Sequence, residues 1–364
     1  MAFRVLSIDG GGMRGIYTAT FLAEVERSFA HRKGFQKGLD IGKAFRLIVG
    51  TSTGAIIGCG LSKGVSPYEM ANLYRENGSS IFKKKMPSSA GPNLISQMFT
   101  RATALAEGDT ALRAALIKVF GDTTVCQIWE DRHIALAMTA VNMANFRSYV
   151  FKTPHDYGTN HRDDNYTLVD VCQASSAAPL FRSLAAVDNP DNGNYDVFAD
   201  GGLWANNPVI VALVEALQMS RDDDDEEIEI FSLGSCGKPE GEIIKKDSVH
   251  WGLKEWKFGG TAAGVSIAAQ EYAFDMIGSK LIPHLKKKVR IIRFPANKIP
   301  GAMLQYLDLD ETRPEGLDAL VRQARHDADT CNSEIRNCTP DGNAINNLFN
   351  SMPERPVEGG GINA

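Results

Sequence analysis

Apolar and polar residues fall into alternating blocks along this chain. It opens with Phe3-Arg4-Val5-Leu6-Ser7-Ile8, a short β-branched run closed by Asp-Gly, which predicts a buried strand. After Gly15, the apolar positions Ile16, Phe21, Leu22, Val25 and Phe29 recur at helical spacing with charges between them. Phe45-Arg46-Leu47-Ile48-Val49 predicts a second strand stopped by Gly50, and Ala55 to Leu61 a small-residue helix behind it. Strand, glycine turn, helix, strand, sharp turn, helix is the order of a parallel sheet covered on both faces, an α/β fold.

Further on, helical patterns at Pro67 to Glu76 and Leu105 to Phe120 flank the loop "FKKKMPSSAGPN", so about 64–130 reads as a helical insertion or cap. Strands resume at Ile134 to Ala140, Ser148 to Lys152 and Val197 to Ala199. Asn206-Asn207-Pro208 predicts the start of a helix running to about Met219, with Asn as its cap. Ile228 to Leu233 and Val289 to Phe294 predict two more strands, and Glu315 to Ile335 a last helix. The acidic run Asp222 to Glu227 reads as a solvated turn blunting a sheet edge rather than a metal site, because consecutive carboxylates rarely converge on one ion. The tail from Thr339 looks loose, which gives one domain over 1–338 and a tail over 339–364.

Composition narrows the classes. The chain has 364 residues, 43% of them apolar and 23% charged, enough to bury a sizeable core without staples. A net charge of −5 gives no global field toward a nucleic-acid polymer or anionic lipid, so any such contact is local. Six scattered cysteines without a C-x-x-C pair argue against a zinc module or disulfide scaffold and fit a reducing cytosol. No apolar run approaches the roughly 18 residues of a membrane span, and the immediate first strand leaves no room for a signal peptide. A meeting with a membrane would come from the water side, as a peripheral contact at the inner face. Lys83-Lys84-Lys85 and Lys286-Lys287-Lys288 are candidates for it, against the plainer reading of solvated charge.

Three constellations carry chemistry. Gly50-Thr51-Ser52-Thr53-Gly54 is a G-x-S-x-G pattern between a predicted strand and a predicted helix, the setting of a nucleophile elbow. The turn would expose the Ser52 hydroxyl at a helix N-terminus, where developing negative charge is favoured. None of the seven histidines sits in a small-residue turn at a strand end, so no histidine base stands out. Asp200 does end an apolar strand, before Gly201-Gly202, and could take the proton directly if partly buried. The opening Gly10-x-Gly12-x-x-Gly15 fits a dinucleotide fingerprint, which would make the chain a nucleotide-binding module with a vestigial esterase site. That reading lacks its acidic residue at the end of the second strand, where Gly-Thr-Ser-Thr-Gly stands instead. Successive glycine amides also form an oxyanion nest, and only that use accounts for Ser52 as well; Arg14 would anchor the loop or steer phosphate.

"DGGGMRG" (Asp9 to Gly15), "GTSTG" (Gly50 to Gly54), "ASSAAP" (Ala174 to Pro179) and "DGG" (Asp200 to Gly202) resemble, in order, the four blocks of patatin-like phospholipases. "FSLGS" (Phe231 to Ser235) is similar to the family's later Ser-Leu-Gly strand. The resemblance implies a three-layer α/β/α fold with a mainly parallel sheet and a Ser-Asp dyad that hydrolyses acyl esters of membrane glycerophospholipids. It assigns Ser52 as nucleophile, Asp200 as base, and Gly10, Gly11, Gly12 and Met13 as the oxyanion loop, with no metal or cofactor. The opening stretch also looks similar to bacterial patatin effectors switched on by cyclic dinucleotides in anti-phage defence, which would add an activator to the partners. A constitutive lipid acyl hydrolase is the alternative. After Ser235 the resemblance loosens, and the last third is open to use as a lid, a homodimer surface or a regulatory site.

Overall fold

The computed structural model describes residues 2–86, 92–155, 158, 161–190, 193–221, 225–236, 244–252, 255–256 and 260–356. Its centre is an eight-stranded sheet. Strand β1 (Phe3–Ile8) lies between β2 (Leu47–Thr51) and β7 (Ile228–Leu233), parallel to both. Beyond β7 comes β8 (Val289–Arg293), and beyond β2 comes β3 (Ala135–Asn142), again parallel. The far side is antiparallel: β3 pairs with β4 (Arg147–Lys152) and with β6 (Tyr195–Asp200), and β6 with β5 (Ala185–Asp188).

Both faces are covered, as the continuous apolar strands require. In β1 and β2, Leu6, Ile8 and Ile48 face one core, while Phe3, Val5, Leu47 and Val49 face the other. The first core is roofed by α1 (Gly15–Lys33), α2 (Thr53–Lys63), α3 (Pro67–Ile81), α10 (Pro314–Arg336) and α11 (Pro340–Ser351). The second is covered by α8 (Val209–Met219), with Phe274 of α9 (Gly260–Leu281) packed on it. Between β2 and β3 the chain runs through α3, α4 (Pro92–Phe120) and α5 (Val125–Arg132), where the insertion was expected. Two short helices, α6 (Leu168–Ser175) and α7 (Gly202–Ala205), flank β6.

Three expectations need correction. The stretch read as a loose tail begins with α11, capped by Thr339 and burying Ile345, Leu348 and Phe349; residues 357–364 lie outside the described residues. Strand β7 is interior, so the acidic run before it blunts no edge; Asp222 to Asp224 lie outside the described residues, while Glu226 pairs with Arg46 at 2.7 Å and Glu227 with Lys288 at 2.8 Å. The helix expected from Asn206 begins at Val209, whose N–H bonds Asn207 Oδ1 at 3.1 Å. In the two lysine clusters, Lys83 pairs with Glu107 at 2.7 Å, Lys85 with Asp308 and Glu311 at 2.8 Å, and Lys288 with Glu227 at 2.8 Å. None of the described helices is long and apolar enough to cross a membrane.

Candidate active site

Strand register brings Ser52 and Asp200 together across 148 positions of sequence. Thr51, the last residue of β2, pairs with Thr139 of β3, and the next β3 residue, Ala140, pairs with Asp200. The two threonine hydroxyls bond at 2.7 Å, locking that register beneath the site. Ser52 Oγ donates to Asp200 Oδ2 at 2.7 Å, and both side chains are buried.

Ser52 occupies φ 55°, ψ −120°, a conformation that costs on the order of 1–3 kcal/mol for a residue with a side chain. Its surroundings hold it there. The Ser52 N–H donates to Ser175 Oγ at 2.8 Å, and the Ser52 carbonyl accepts from Ala55 and Ile56 at the start of α2. A methyl group on Gly54 would meet the Ile8 carbonyl oxygen, so β1 and the elbow touch backbone to backbone.

Asp200 is held from three sides. Its own N–H donates to Ala177 O at 3.0 Å, and the Gly202 N–H donates to Asp200 Oδ1 at 2.6 Å. Gly201 packs against Thr139, where any side chain would collide, and its N–H donates to Ser175 O at 3.2 Å. The Ala-Ser-Ser-Ala-Ala-Pro stretch thus braces both Ser52 and Asp200 through Ser175 and Ala177. Burial pushes the Asp200 carboxyl up to about 6, against the Gly202 N–H, the Ser52 hydroxyl and the Arg182 charge. Arg182 is buried in the pocket wall and paired with Asp109 at 3.0 Å.

The glycine loop lies on the other side of Ser52. Gly10 is fully committed: its N–H donates to Asn206 O at 2.8 Å, and its carbonyl accepts from Ser235 Oγ at 2.7 Å. The Met13 N–H is likewise spent, on Leu309 O at 2.8 Å. Among the described residues, no acceptor meets the N–H of Gly11 or Gly12, and both residues line the pocket. Gly12 has φ +56°, and a methyl group there would strike the Leu309 carbonyl. Arg14 bonds Gly11 O through its N–H at 3.1 Å and through Nε at 3.3 Å.

Asp9, at the head of the glycine block, fixes the loop's entry. It is buried and meets Arg293 of β8 at 2.6 Å, while Arg293 also pairs with Asp275 of α9 at 3.1 Å. Burial drives the Asp9 carboxyl upward, and Arg293 opposes that shift. Asn206 Nδ2 donates to Glu271 of α9 at 2.6 Å, so α9 holds the far side of the same loop.

A cavity of about 140 Å³ opens over Ser52. Ile56, Tyr74, Ile81, Leu112 and Phe181 make it mainly apolar, and α3 and α4 supply three of these five. Tyr74 shares its hydroxyl with Thr53 Oγ1, beside the elbow. Leu180 and Leu203 stand at the rim, 42% and 48% exposed. Among the described residues, no histidine lines this cavity; His155, the buried one, bonds Thr153 at 2.7 Å instead. Arg182 and Arg293 carry no sequence signal of their own, whereas Ser175 lies inside a quoted block and Asn206 reads in sequence only as part of a helix start.

A strained serine at a strand-to-helix elbow, facing a buried carboxylate under an apolar cavity, is an arrangement in keeping with a serine hydrolase. The family profile described as patatin-like phospholipase matches residues 6–213, and the chain belongs to that family. It is 33% identical over 243 residues to a "cGAMP-activated phospholipase" of Vibrio cholerae, covering 65% of this chain and 64% of the relative. A protein of the same description from Pseudomonas aeruginosa is 32% identical, covering 75% of this chain and 73% of the relative. A "cUMP-AMP-activated phospholipase" of Escherichia coli is 28% identical, covering 68% and 70%. The match thus spans slightly less than two thirds of the Vibrio cholerae relative.

Proposed function

We propose that this protein hydrolyses acyl esters of membrane glycerophospholipids with Ser52 as nucleophile and Asp200 as general base. The observation that carries the reading is the 2.7 Å bond from Ser52 Oγ to the buried Asp200 carboxylate at the floor of an apolar cavity. Asp200 takes the hydroxyl proton as Ser52 Oγ attacks the ester carbonyl, and the carbonyl oxygen becomes an oxyanion facing the Gly11 and Gly12 amides. The C–O bond to the glycerol then breaks, and Asp200 returns its proton to the leaving lysolipid alkoxide. A water repeats the sequence on the acyl-serine, with Asp200 again as base, and releases the fatty acid. The engaged amides of Gly10 and Met13 narrow the oxyanion donors to Gly11 and Gly12, with Arg14 as loop anchor. The apolar cavity suits an acyl chain, and exposed Leu180 and Leu203 suit peripheral contact with a bilayer's inner face.

The names of the relatives support a second layer to this reading: a cyclic dinucleotide switches the enzyme on. The test is fatty-acid release from phospholipid vesicles by wild-type protein and Ser52→Ala, with and without cGAMP and cUMP-AMP. Release that is stimulated in wild type and absent in Ser52→Ala is expected. Full release by Ser52→Ala would overturn the hydrolase reading, and unstimulated release at the full rate would overturn the activator.

A further inference from the structure

A concavity larger than the cavity over Ser52 lies elsewhere among the described residues. An open groove of about 870 Å³ runs between α1, α3 and α10 and has no part in the chemistry above. Its walls are cationic: Arg27 and Lys37 come from α1 and the turn after it, Arg75 from α3, Arg325 from α10, with Arg355 beneath. Against these stand Glu24 and Glu26. In a chain of net charge −5 this is a pronounced local reversal. Arg27 and Arg325 also border a neighbouring hollow that adds Arg32 and Arg336, so the positive strip continues along the α1–α10 seam.

The existing pairs leave this charge available. Glu24 serves both Arg27 and Arg325, the latter at 2.9 Å, and those arginines remain 79% and 62% exposed. Arg75 meets Asp318 at 2.9 Å with both side chains about half exposed. Solvent-exposed pairs of this kind are weak and screened, and a phosphodiester offers an arginine a bidentate replacement. Two aromatic side chains complete the lining: Tyr68, 66% exposed, and Phe35. Phosphate-binding guanidinium groups next to an exposed ring are what a nucleotide needs, one set for the phosphates and the other for a base.

Each of the groove's three walls is connected to the region around Ser52 and the glycine loop. Helix α1 starts at Gly15, directly after Gly11–Arg14. Tyr74 of α3 bonds Thr53, beside Ser52. The Leu309 carbonyl, just ahead of α10, accepts the Met13 N–H, and buried Tyr17 of α1 bonds Asp327 of α10 at 2.6 Å. Resting on the cyclic-dinucleotide reading above, we infer that this basic groove is where the activator binds, its two phosphates held between Arg27 and Arg325 and a base on Tyr68. Occupancy of the groove sets the spacing of α1, α3 and α10, and through α1 and Leu309 it adjusts the Gly11 and Gly12 amides against Ser52.

The test is titration calorimetry with cGAMP and cUMP-AMP on wild type, on Arg27→Glu/Arg325→Glu and on Tyr68→Ala, each checked for an unchanged melting temperature. Lys288→Glu, which does not line the groove, is the charge-reversal control. Saturable binding of one dinucleotide is expected, weakened at least tenfold by the double reversal and several-fold by Tyr68→Ala, with the control equal to wild type. Equal affinity in the double variant would overturn the groove while leaving the activator reading intact if hydrolysis is still stimulated. Absence of both binding and stimulation in wild type would remove the activator reading as well. Phosphatidylglycerol vesicles supply the remaining arm: a double reversal that loses vesicle binding but keeps dinucleotide affinity would make the strip a membrane contact and overturn the assignment.

Discussion

The catalytic cavity and the α1–α3–α10 groove are made of opposite materials. One is small and apolar above a buried carboxylate; the other is wide, more polar and lined by guanidinium groups. Burial raises Asp200 to about 6, which makes it a better proton acceptor than an ordinary carboxylate would be near neutral pH. Exposure in the groove does the reverse, leaving its charges solvated and exchangeable. In the proposed mechanism desolvated groups do the chemistry, and hydrated groups are suited to reversible recognition. Helix α3 lines both.

The comparison breaks most visibly at the base. Asp200→Asn keeps the Gly202 bond but cannot accept the proton, and kcat for vesicle hydrolysis should fall by about 10³–10⁴. Changing any one of the seven histidines to Gln should leave that rate within a few-fold of wild type; a histidine variant as inactive as Asp200→Asn would contradict the dyad. Next in size, Gly11→Ala drives a methyl group into Ser235 and shifts the free amide, for a loss of roughly 10²–10³ in kcat measured with a soluble ester.

Smaller effects sharpen the contrast. The rate should fall as pH drops through about 6, because Asp200 must be ionised to act and its pKa lies there rather than near 4. Arg182 lowers that pKa, so Arg182→Gln should move the acid limb of the kcat/KM profile to higher pH; an unmoved limb would show that Arg182 does not act through Asp200. Last, raising salt from roughly 0.05 to 0.5 M should weaken dinucleotide binding in the exposed groove several-fold while changing turnover of a neutral soluble ester little. Equal sensitivity of the two would dissolve the distinction.

Much of the fold and of the proposed catalytic pair was legible locally. Strands β1, β2 and β7 read as continuous apolar runs because both of their faces are buried, and Ser52 and Asp200 stand in turns where small residues are forced by backbone contact. What escaped depends on distance or on weak pattern. Helix α9 is glycine- and alanine-rich with little periodicity, so nothing in its sequence announced the Glu271 and Asp275 contacts that hold the glycine loop. Helix α11 carries four Asn and one Gly, poor helix formers, although its Thr339-Pro340 start was a readable cap. The commitments of the Gly10 and Met13 amides lie with Asn206 and Leu309, almost 200 and 300 positions away, where no local reading reaches. The groove was invisible for the same reason: its cations come from four separate segments, each ordinary alone.

The most direct test of the central claim is the identity of the trapped nucleophile and its dependence on the base. Intact protein treated with a fluorophosphonate at pH 8 and digested for mass spectrometry should carry one adduct, on Ser52, and Asp200→Asn should label at least a hundredfold more slowly. An adduct on another residue, or labelling of Ser52 at the wild-type rate in Asp200→Asn, would contradict the account.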